Sequence, residues 1–395
     1  MDRWLPWVAA VAVLGLATLF HWPVKATASG CPIRIGFVRA YSGKGAVYGQ
    51  SLDRGVQMGF DEINAAGGVC GCQVQLITYD SQSVPANTSA LVRRLIIRDK
   101  VSLIIASSPS TEIFAAEEIA ESMGVPLYAP SAPSARLTGQ GYSWIWCQSL
   151  VDTAAATALA DYIVQRQGWH RIGIVYENSD YAKPTVQNAL VPKLKRLRAE
   201  VVAQEAFNSG DADLSAQLLR VRDAGADVLL YWGHEKEAAM LTKQNQSEQV
   251  RLPIAANTAV VYPAYLSLLP ANIQNETKLY AIGQFLWSSR APKDAKWIQA
   301  FEGRYHTTPD VTAREGYDAA YLLRQVYATA HDFSPKSLQG SLRNVHFDGV
   351  GGPISFDTTG RARRSQMIVK LTPKSGSGFQ LVERIPADQT NISQP

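Results

Sequence analysis

Short apolar runs alternate with amphipathic, helix-like segments from residue 33 to residue 331. The clearest unit begins with the apolar run Leu103–Ala106, which is followed by a Ser/Thr/Pro turn and then by a helical pattern at 113–123. Repeated alternation of this kind predicts an α/β fold, in which parallel sheets carry helices on both faces. The series is too long for one open sheet, so we expect two similar lobes with a ligand site where their strand ends meet.

Near the end of the chain, turns rather than helices separate the apolar runs. The predicted strands of the first series are 33–38, 74–79, 103–106, 126–129 and 144–147. Those of the second series are 171–176, 201–206, 228–232, 253–256 and 280–284. The last predicted strands are 354–356, 367–371 and 379–383. Each of the two main series is therefore long enough to form its own sheet.

The turn after Leu103–Ala106 offers a candidate ligand site. Pro109 suits the first position of a helix, which makes Ser108 the predicted N-cap. A helix that starts at the carboxyl end of a parallel strand presents free backbone N–H groups and the positive end of its dipole. Ligands of open α/β sheets bind at such strand ends. Two interpretations follow: Ser108 holds the polar end of a small ligand, or it only caps its own helix.

The N-terminal residues are organised like an export signal. An uncharged apolar run at 7–20 follows Met1 and Arg3, and it is too short for a comfortable membrane span. Small residues predict cleavage after Ala28, so 1–28 would be a signal peptide. A lipoprotein modified at Cys31 and an uncleaved anchor are the lower-ranked alternatives. We therefore expect an exported, soluble mature protein.

Four cysteines in a chain that is expected to be exported suggest disulfide bonding. Cys31 lies just before the first predicted strand, and Cys70 and Cys72 lie just before the second. Neighbouring parallel strands start side by side, so Cys31 can pair with Cys72 or, alternatively, with Cys70. Cys147 is the candidate for a buried free thiol. A metal clip at the Cys-x-Cys spacing is the weaker interpretation, because few histidines lie nearby.

Composition and motifs argue against several functional classes. The net charge of +4 is spread along the chain, so the sequence shows no basic cluster of the kind that binds nucleic acid. The sequence contains neither Gly-x-Ser-x-Gly nor His-Glu-x-x-His, and its glycines lack the spacing of a dinucleotide or P-loop fingerprint. The six histidines are scattered without metal-ligand spacing. We therefore predict no enzyme activity, no cofactor and no metal.

A series of short motifs extends in a fixed order along nearly the whole mature chain. They include Ile35-Gly36-Phe37, Glu62-Ile63-Asn64-Ala65-Ala66-Gly67-Gly68, Pro130-Ser131-Ala132, Asp180-Tyr181, Gly316-Tyr317-Asp318-Ala319 and Phe347-Asp348-Gly349. In this order they resemble the type I periplasmic binding proteins, and most closely the leucine/isoleucine/valine-binding group of ABC importers. The resemblance implies a periplasmic solute-binding protein that delivers its ligand to an ABC permease in the inner membrane.

The resemblance also implies two Rossmann-like lobes, hinged by three crossings, with the ligand in the cleft. By analogy lobe one is 31–149 plus 282–352, lobe two is 150–281 plus 353–385, and 386–395 is a C-terminal tail. Such a protein is expected to be a monomer that closes around its ligand. A periplasmic sensor acting through a membrane receptor, and an ordinary branched-chain amino acid binder, are the alternatives.

The family's ligand-binding positions can be assigned one by one. The serine that binds the ligand's carboxylate falls on Ser108, and the residue that offers a backbone carbonyl falls on Ala132. The first-loop tyrosine and a lobe-two tyrosine fall on Tyr48 and Tyr181. A second lobe-two tyrosine falls near His234, for which a satisfied loop histidine is the competing interpretation.

Two positions depart from the family's amino-acid site. The loop threonine falls on Pro133, which lacks both hydroxyl and N–H, although Ser134 beside it could substitute. The acidic partner of the ligand's ammonium falls on Thr258. An ammonium buried without a carboxylate is costly, so we expect a small polar or anionic organic solute instead. Arg39 could pair with an acidic group of this ligand, or it could form an interlobe salt bridge or face solvent.

Overall fold

The computed structural model describes residues 31–106, 109–179, 181–286, 291–373 and 378–386. The predicted signal segment and Ser108 lie outside these ranges. The strands are β1 (Ile33–Arg39), β2 (Val74–Asp80), β3 (Leu103–Ala106), β4 (Leu127–Ala129), β5 (Ile145–Cys147), β6 (Arg171–Glu177), β7 (Glu200–Phe207), β8 (Val228–Trp232), β9 (Ile254–Ala256), β10 (Leu279–Gly283), β11 (Phe347–Gly349), β12 (Gly352–Phe356), β13 (Ala362–Arg363), β14 (Gln366–Leu371) and β15 (Phe379–Ile385).

Helices follow most of these strands. They are α1 (Ala46–Ala65), α2 (Pro85–Ile97), α3 (Ser110–Met123), α4 (Asp152–Asp161), α5 (Ala182–Thr185), α6 (Val191–Arg196), α7 (Ser215–Asp223), α8 (Glu235–Ser247), α9 (Pro263–Ser267), α10 (Ala271–Glu276), α11 (Pro292–Tyr305), α12 (Val311–Thr329) and α13 (Pro335–Arg343). Helix α3 begins one residue later than predicted, because Pro109 has extended backbone angles and is itself the N-cap.

The first sheet has the strand order β2-β1-β3-β4-β5, and all its neighbouring strands are parallel. Its two faces are covered by different helices. Phe37 on one face packs with residues of α1 and α12, and Val38 on the other packs with residues of α2 and α3. This alternation along a strand is what a sheet buried on both faces requires.

The second sheet has the order β15-β14-β10-β9-β8-β6-β7. Strands β6 to β10 run parallel to their neighbours, and the late strands β14 and β15 add an antiparallel edge. Helices again cover both faces, with α7 and α8 on one side and α4 and α6 on the other. The predicted α/β class with two parallel sheets is confirmed.

A small antiparallel sheet of β11, β12 and β13 lies against the first sheet. Ile354 and Ala362 share a core with Ile35 and Leu103, although the lobe division drawn from the sequence assigned residues from 353 onward to lobe two. These contacts favour a later crossing, between β13 and β14, because β14 is the first of these late strands that joins the second sheet. The other lobe boundaries remain predictions.

Helices α1 and α12 approach so closely that glycine is needed at the contact. A Cβ atom at Gly55 would lie 1.9 Å from the carbonyl oxygen of Ala313, and one at Gly316 would lie 2.4 Å from that of Leu52. Real Cβ atoms do not approach backbone atoms so closely, so the two backbones are in direct contact here. This contact fixes α12 on the first sheet, where its N-terminal end reaches the space between the sheets.

A disulfide joins Cys31 to Cys72, whose Cα atoms are 5.2 Å apart, and thereby ties the start of β1 to the turn before β2. Cys70 is an exposed free thiol, and Cys147 is a buried one. Burial raises the pKa of Cys147 to about 11, so its reactive thiolate is disfavoured. Within the described ranges, no cluster of His, Cys, Asp and Glu could hold a metal ion, and no helix has the length and apolar composition of a membrane span.

Candidate interlobe ligand site

The carboxyl ends of the two sheets meet around the first crossing between them. Strand β5 ends at Cys147, and the chain passes through Ser149 to Asp152 at the start of α4. The backbone N–H of Asp152 donates to the carbonyl oxygen of Pro133 at 3.0 Å, which joins the crossing to the loop after β4. The candidate site therefore has one wall from this loop and another from the strand ends of the second sheet.

The loop after β4 is held by a buried arginine. The N–H of Ala132 donates to Ser149 Oγ at 2.8 Å. Its carbonyl oxygen accepts from Arg361 Nη1 at 2.9 Å, and the carbonyl oxygen of Ser134 accepts from Arg361 Nη2 at 2.7 Å. The Ala132 carbonyl, a predicted ligand contact, thus already has a charged donor in the protein itself.

Asn257, at the carboxyl end of β9, organises the second wall. Its Nδ2 atom donates to the hydroxyl of Tyr181 at 2.8 Å and to the carbonyl oxygen of Gly233 at 2.9 Å. Asn257 is 1% exposed. The predicted counterpart of the family's acidic residue, Thr258, begins the short 3-10 turn 258–261 instead. The residue that bonds Tyr181 is therefore one position earlier than the one assigned by resemblance.

Three buried polar atoms around Tyr181 have no hydrogen-bond partner among the described residues. They are Asp152 Oδ2, Trp232 Nε1 and Asn257 Oδ1. Burial raises the pKa of Asp152 to about 7, although the nearby Tyr181 hydroxyl, the positive charges of Arg361 and His234, and the Trp232 indole act in the opposite direction. Asp152 faces both Tyr181 and Trp232, which leaves Asn257 Oδ1 as the acceptor of this set without a neighbouring donor. Buried polar groups are normally paired, so Asn257 Oδ1 has the character of an unfilled polar position.

The protonation of Asp152 gives a testable dependence of stability on pH. Its raised pKa means that the folded state binds a proton between about pH 4 and pH 7 that the unfolded state releases, so stability should fall as pH rises through this window. We expect Asp152→Asn to remove most of this fall, about 4 kcal/mol for a pKa raised from about 4 to about 7, in urea unfolding of the ligand-free protein. The exposed Asp223→Asn is the control, and equal pH slopes in Asp152→Asn and the wild type would contradict the assignment.

His234 has a carboxylate partner in the protein. Its Nδ1 atom lies 2.5 Å from Glu177 Oε2. Burial lowers the pKa of His234, but Glu177, with Glu235 and Glu237, more than offsets this, and the net pKa is raised. Its ring centroid lies 6.0 Å from that of Tyr48 and 5.4 Å from that of Tyr181. This ion pair is what the interpretation of a satisfied loop histidine expects.

Tyr48 connects the two sides of the site. It lies on α1, which packs on the first sheet, and its hydroxyl donates to Glu235 Oε2 on α8 at 2.6 Å. Its ring meets that of Tyr262 edge-on, with centroids 5.8 Å apart. Burial raises the pKa of Tyr48 well above its usual value, so the hydroxyl remains a donor. Tyr262 forms a further bridge, from its hydroxyl to Thr312 Oγ1 at 3.0 Å.

Removing the Tyr48 hydroxyl should weaken the closed arrangement. Tyr48→Phe deletes one hydrogen bond to a charged acceptor, worth about 1.5 kcal/mol, so we expect about a tenfold loss of ligand affinity by calorimetric titration. Tyr79→Phe deletes a hydroxyl that bonds Asp99 in the turn after α2, and it should leave the affinity unchanged. Equal affinities for Tyr48→Phe and the wild type would show that this bond does not support binding.

Arg39 is engaged within the first lobe. Its Nη1 atom pairs with Asp53 Oδ1 on α1, and its guanidinium lies 4.2 Å from the ring centroid of Tyr41. Arg39 therefore forms its salt bridge within the first lobe, and the expected interlobe salt bridge is wrong. A role for Arg39 toward the ligand remains a prediction.

Several residues of this site were not among the sequence candidates. Asn257 directly follows a predicted strand, so the rule that strand ends carry ligand contacts would have found it. Asp152 directly follows the crossing that ends lobe one, which is a weaker signal. Arg361 and Glu235 gave no signal, because their contacts join segments that are far apart in the chain.

Comparisons with known proteins agree with this architecture. A family model described as "Periplasmic binding protein" matches residues 32–377. A leucine-, isoleucine-, valine-, threonine- and alanine-binding protein from Pseudomonas aeruginosa is 23% identical over 359 residues, which cover 89% of this chain and 91% of that protein.

Two solved structures are also similar. A branched-chain amino acid transporter substrate binding protein from Streptococcus pneumoniae, in complex with isoleucine, has a TM-score of 0.78 at 25% identity and covers 89% of this chain and 99% of its own. A solute binding protein of an ABC transporter from R. palustris, in complex with benzoate, has a TM-score of 0.79 at 18% identity, with 90% and 97% covered, and shows the shared fold. The chain is therefore a member of the periplasmic binding protein family, in its leucine/isoleucine/valine-binding branch.

Proposed function

We propose that this chain is the extracytoplasmic solute-binding protein of an ABC importer. It binds a small polar or anionic organic solute between its two lobes and delivers it to a membrane permease, without enzymatic activity of its own. The observation that carries the proposal is the buried, unpartnered Asn257 Oδ1 at a strand end, beside the polar cluster of Asp152, Tyr181 and Trp232. The names of the similar proteins, which are amino acid binders and transporter components, support the importer role.

The ligand chemistry follows from the two walls. Asp152 and Asn257 offer acceptors and Trp232 offers a donor, so the group bound there has both donors and acceptors, as in an amide, a hydroxyl or a protonated acid. Tyr48, Tyr181 and Tyr262 add flat surfaces that suit an apolar or aromatic body. A small amide satisfies both requirements, and a carboxylic acid does so when it binds in its protonated form.

A thermal-shift screen tests the binding function. The panel consists of leucine, isocaproate and isocaproamide, which share one carbon skeleton, together with phenylalanine, hydrocinnamate, hydrocinnamamide and benzoate. A ligand present at a hundredfold excess over its dissociation constant should stabilise the protein by about 2.7 kcal/mol. We expect at least one acid or amide to raise the melting temperature. A panel without any shift would contradict the proposed ligand class.

We propose that the mature protein is a periplasmic monomer whose signal peptide is cleaved after Ala28. Lipidation at Cys31 would require the same sulfur atom that forms the disulfide with Cys72. The two modifications therefore exclude each other, which favours simple cleavage. The intact mass of protein purified from its native membrane and periplasmic fractions decides this: a mass gain of two hydrogens on reduction and no lipid is expected, whereas an acylated Cys31 would overturn it.

A further inference from the structure

A tight turn before β13 positions Arg361 against the loop after β4. Asp357 Oδ1 accepts from the N–H of Thr359 at 2.8 Å and from the N–H of Arg361 at 3.1 Å. Gly360 has a φ of +82°, and a Cβ atom there would lie 2.2 Å from the carbonyl oxygen of Ile145. The turn therefore requires glycine at this position, and it places the arginine beside the end of β5.

The Arg361 side chain is almost fully buried, and most of its N–H groups donate hydrogen bonds to backbone carbonyl oxygens. In addition to the carbonyls of Ala132 and Ser134, its Nη1 atom reaches the carbonyl oxygen of Ser149 at 3.3 Å, and its Nε atom donates to Thr138 Oγ1 at 3.2 Å. Arg361 is 5% exposed. One guanidinium thus joins the loop 132–138 to the first crossing, next to Asp152.

The charge of Arg361 has no close counter-ion in the part of the chain that the structure describes, where no carboxylate lies within 4.0 Å of it. The positive charge of Arg361 acts to lower the pKa of two carboxylic acids, Glu117 and Asp152. Burial raises the pKa of Glu117 to about 8, and Glu117 Oε2 accepts from Gln140 Nε2 at 2.7 Å. A neutral Glu117 leaves the guanidinium to be stabilised by carbonyl dipoles, which is unusual for a buried charge.

We propose that Arg361 determines the charge selectivity of the site, excluding ligands that place an ammonium beside the loop 132–134 and favouring neutral or anionic groups there. An ammonium in this position would compete with the guanidinium for the same carbonyl oxygens, and the two positive charges would repel each other across a poorly hydrated wall. This inference rests on the proposed function. Arg361 acts through the loop carbonyls and is a positioning residue as well as a source of charge.

Matched ligands and two variants test the proposal by calorimetric titration. Leucine, isocaproate and isocaproamide differ only in the ammonium and in the charge of the acid group. We expect the wild-type protein to bind isocaproate or isocaproamide at least about tenfold more tightly than leucine. Arg361→Met removes the charge at similar length and should reduce this ratio about tenfold, whereas Arg361→Lys keeps the charge and should retain most of the ratio.

The outcomes separate a selective role from a structural one. If Arg361→Met lowers the affinity for all three ligands by the same factor, Arg361 only holds the loop and the proposal is wrong. If the wild type prefers leucine, the proposal is also wrong, and this result needs no folded variant. If neither this series nor the phenylalanine series binds to the wild type, the proposed function fails as well; binding with an unchanged ratio overturns the role of Arg361 alone.

Discussion

Asn257→Ala should lower the affinity for the best ligand of the thermal-shift panel by about 100-fold. The substitution removes the Nδ2 donor that holds the Tyr181 hydroxyl and the Gly233 carbonyl, and it also removes the Oδ1 acceptor that has no partner in the described part of the protein. Two hydrogen bonds at about 1 to 1.5 kcal/mol each account for this loss. Calorimetric titration of the folded variant measures it.

The matched control is Asn208→Ala. Asn208 also follows a strand of the second sheet, but it lies at the exposed edge beside β7, where it contacts Asn178. This variant should bind like the wild type. A loss of less than about threefold in Asn257→Ala would place the ligand elsewhere, and an equal loss in both variants would indicate a general effect on the second lobe.

Gly55→Ala should lower the free energy of unfolding by about 3 kcal/mol or more. The new Cβ atom would lie 1.9 Å from the carbonyl oxygen of Ala313 and 2.8 Å from the backbone nitrogen of Tyr317. Both neighbours are backbone atoms of α12, so they cannot rotate away, and the helices must separate. Overpacking of a buried contact typically costs about 1 to 3 kcal/mol, and a backbone clash lies at the upper end. Urea unfolding measures the change.

Gly303→Ala tests the same substitution without the clash. Gly303 lies inside α11, and no atom would come within 4 Å of a Cβ atom there. Alanine is the better helix former, so this variant should be more stable than the wild type by about 0.5 to 1 kcal/mol. If the two variants change the free energy of unfolding by the same amount, the close approach of α1 and α12 does not require glycine at position 55.

The fold follows from the sequence because its signals are local. Alternating apolar runs and amphipathic segments predict parallel sheets, and the strand ends differ from prediction by only a residue or two, as at β1 and β5. The start of α3 was less predictable, since proline suits both the first helical position and the N-cap. The predicted lobe boundary at 352/353 separates β11 from β13 within the small sheet, and it remains a prediction; the pairing was hard to foresee because these strands are short and their core partners lie far away in the chain.

The site was only partly predictable, because it depends on contacts between distant segments. Resemblance identified Tyr48, Tyr181 and the loop at Ala132, which lie on either side of the interlobe space. It assigned the family's acidic position to Thr258, whose role toward a ligand remains a prediction, and it did not single out the neighbouring Asn257, which bonds Tyr181. The carbonyl contacts of Arg361 depend on a turn more than 200 residues after the loop it holds, so no local pattern could reveal them.

The most direct test of the central claim is a crystal structure of the mature protein with the panel member that produces the largest thermal shift. We predict ligand density between the loop 132–134 and Asn257, with polar atoms of the ligand within hydrogen-bond distance of Asp152 Oδ2 or Asn257 Oδ1. Ligand density on the outer surface of either lobe, with the space around Tyr181 holding only water, would contradict the account.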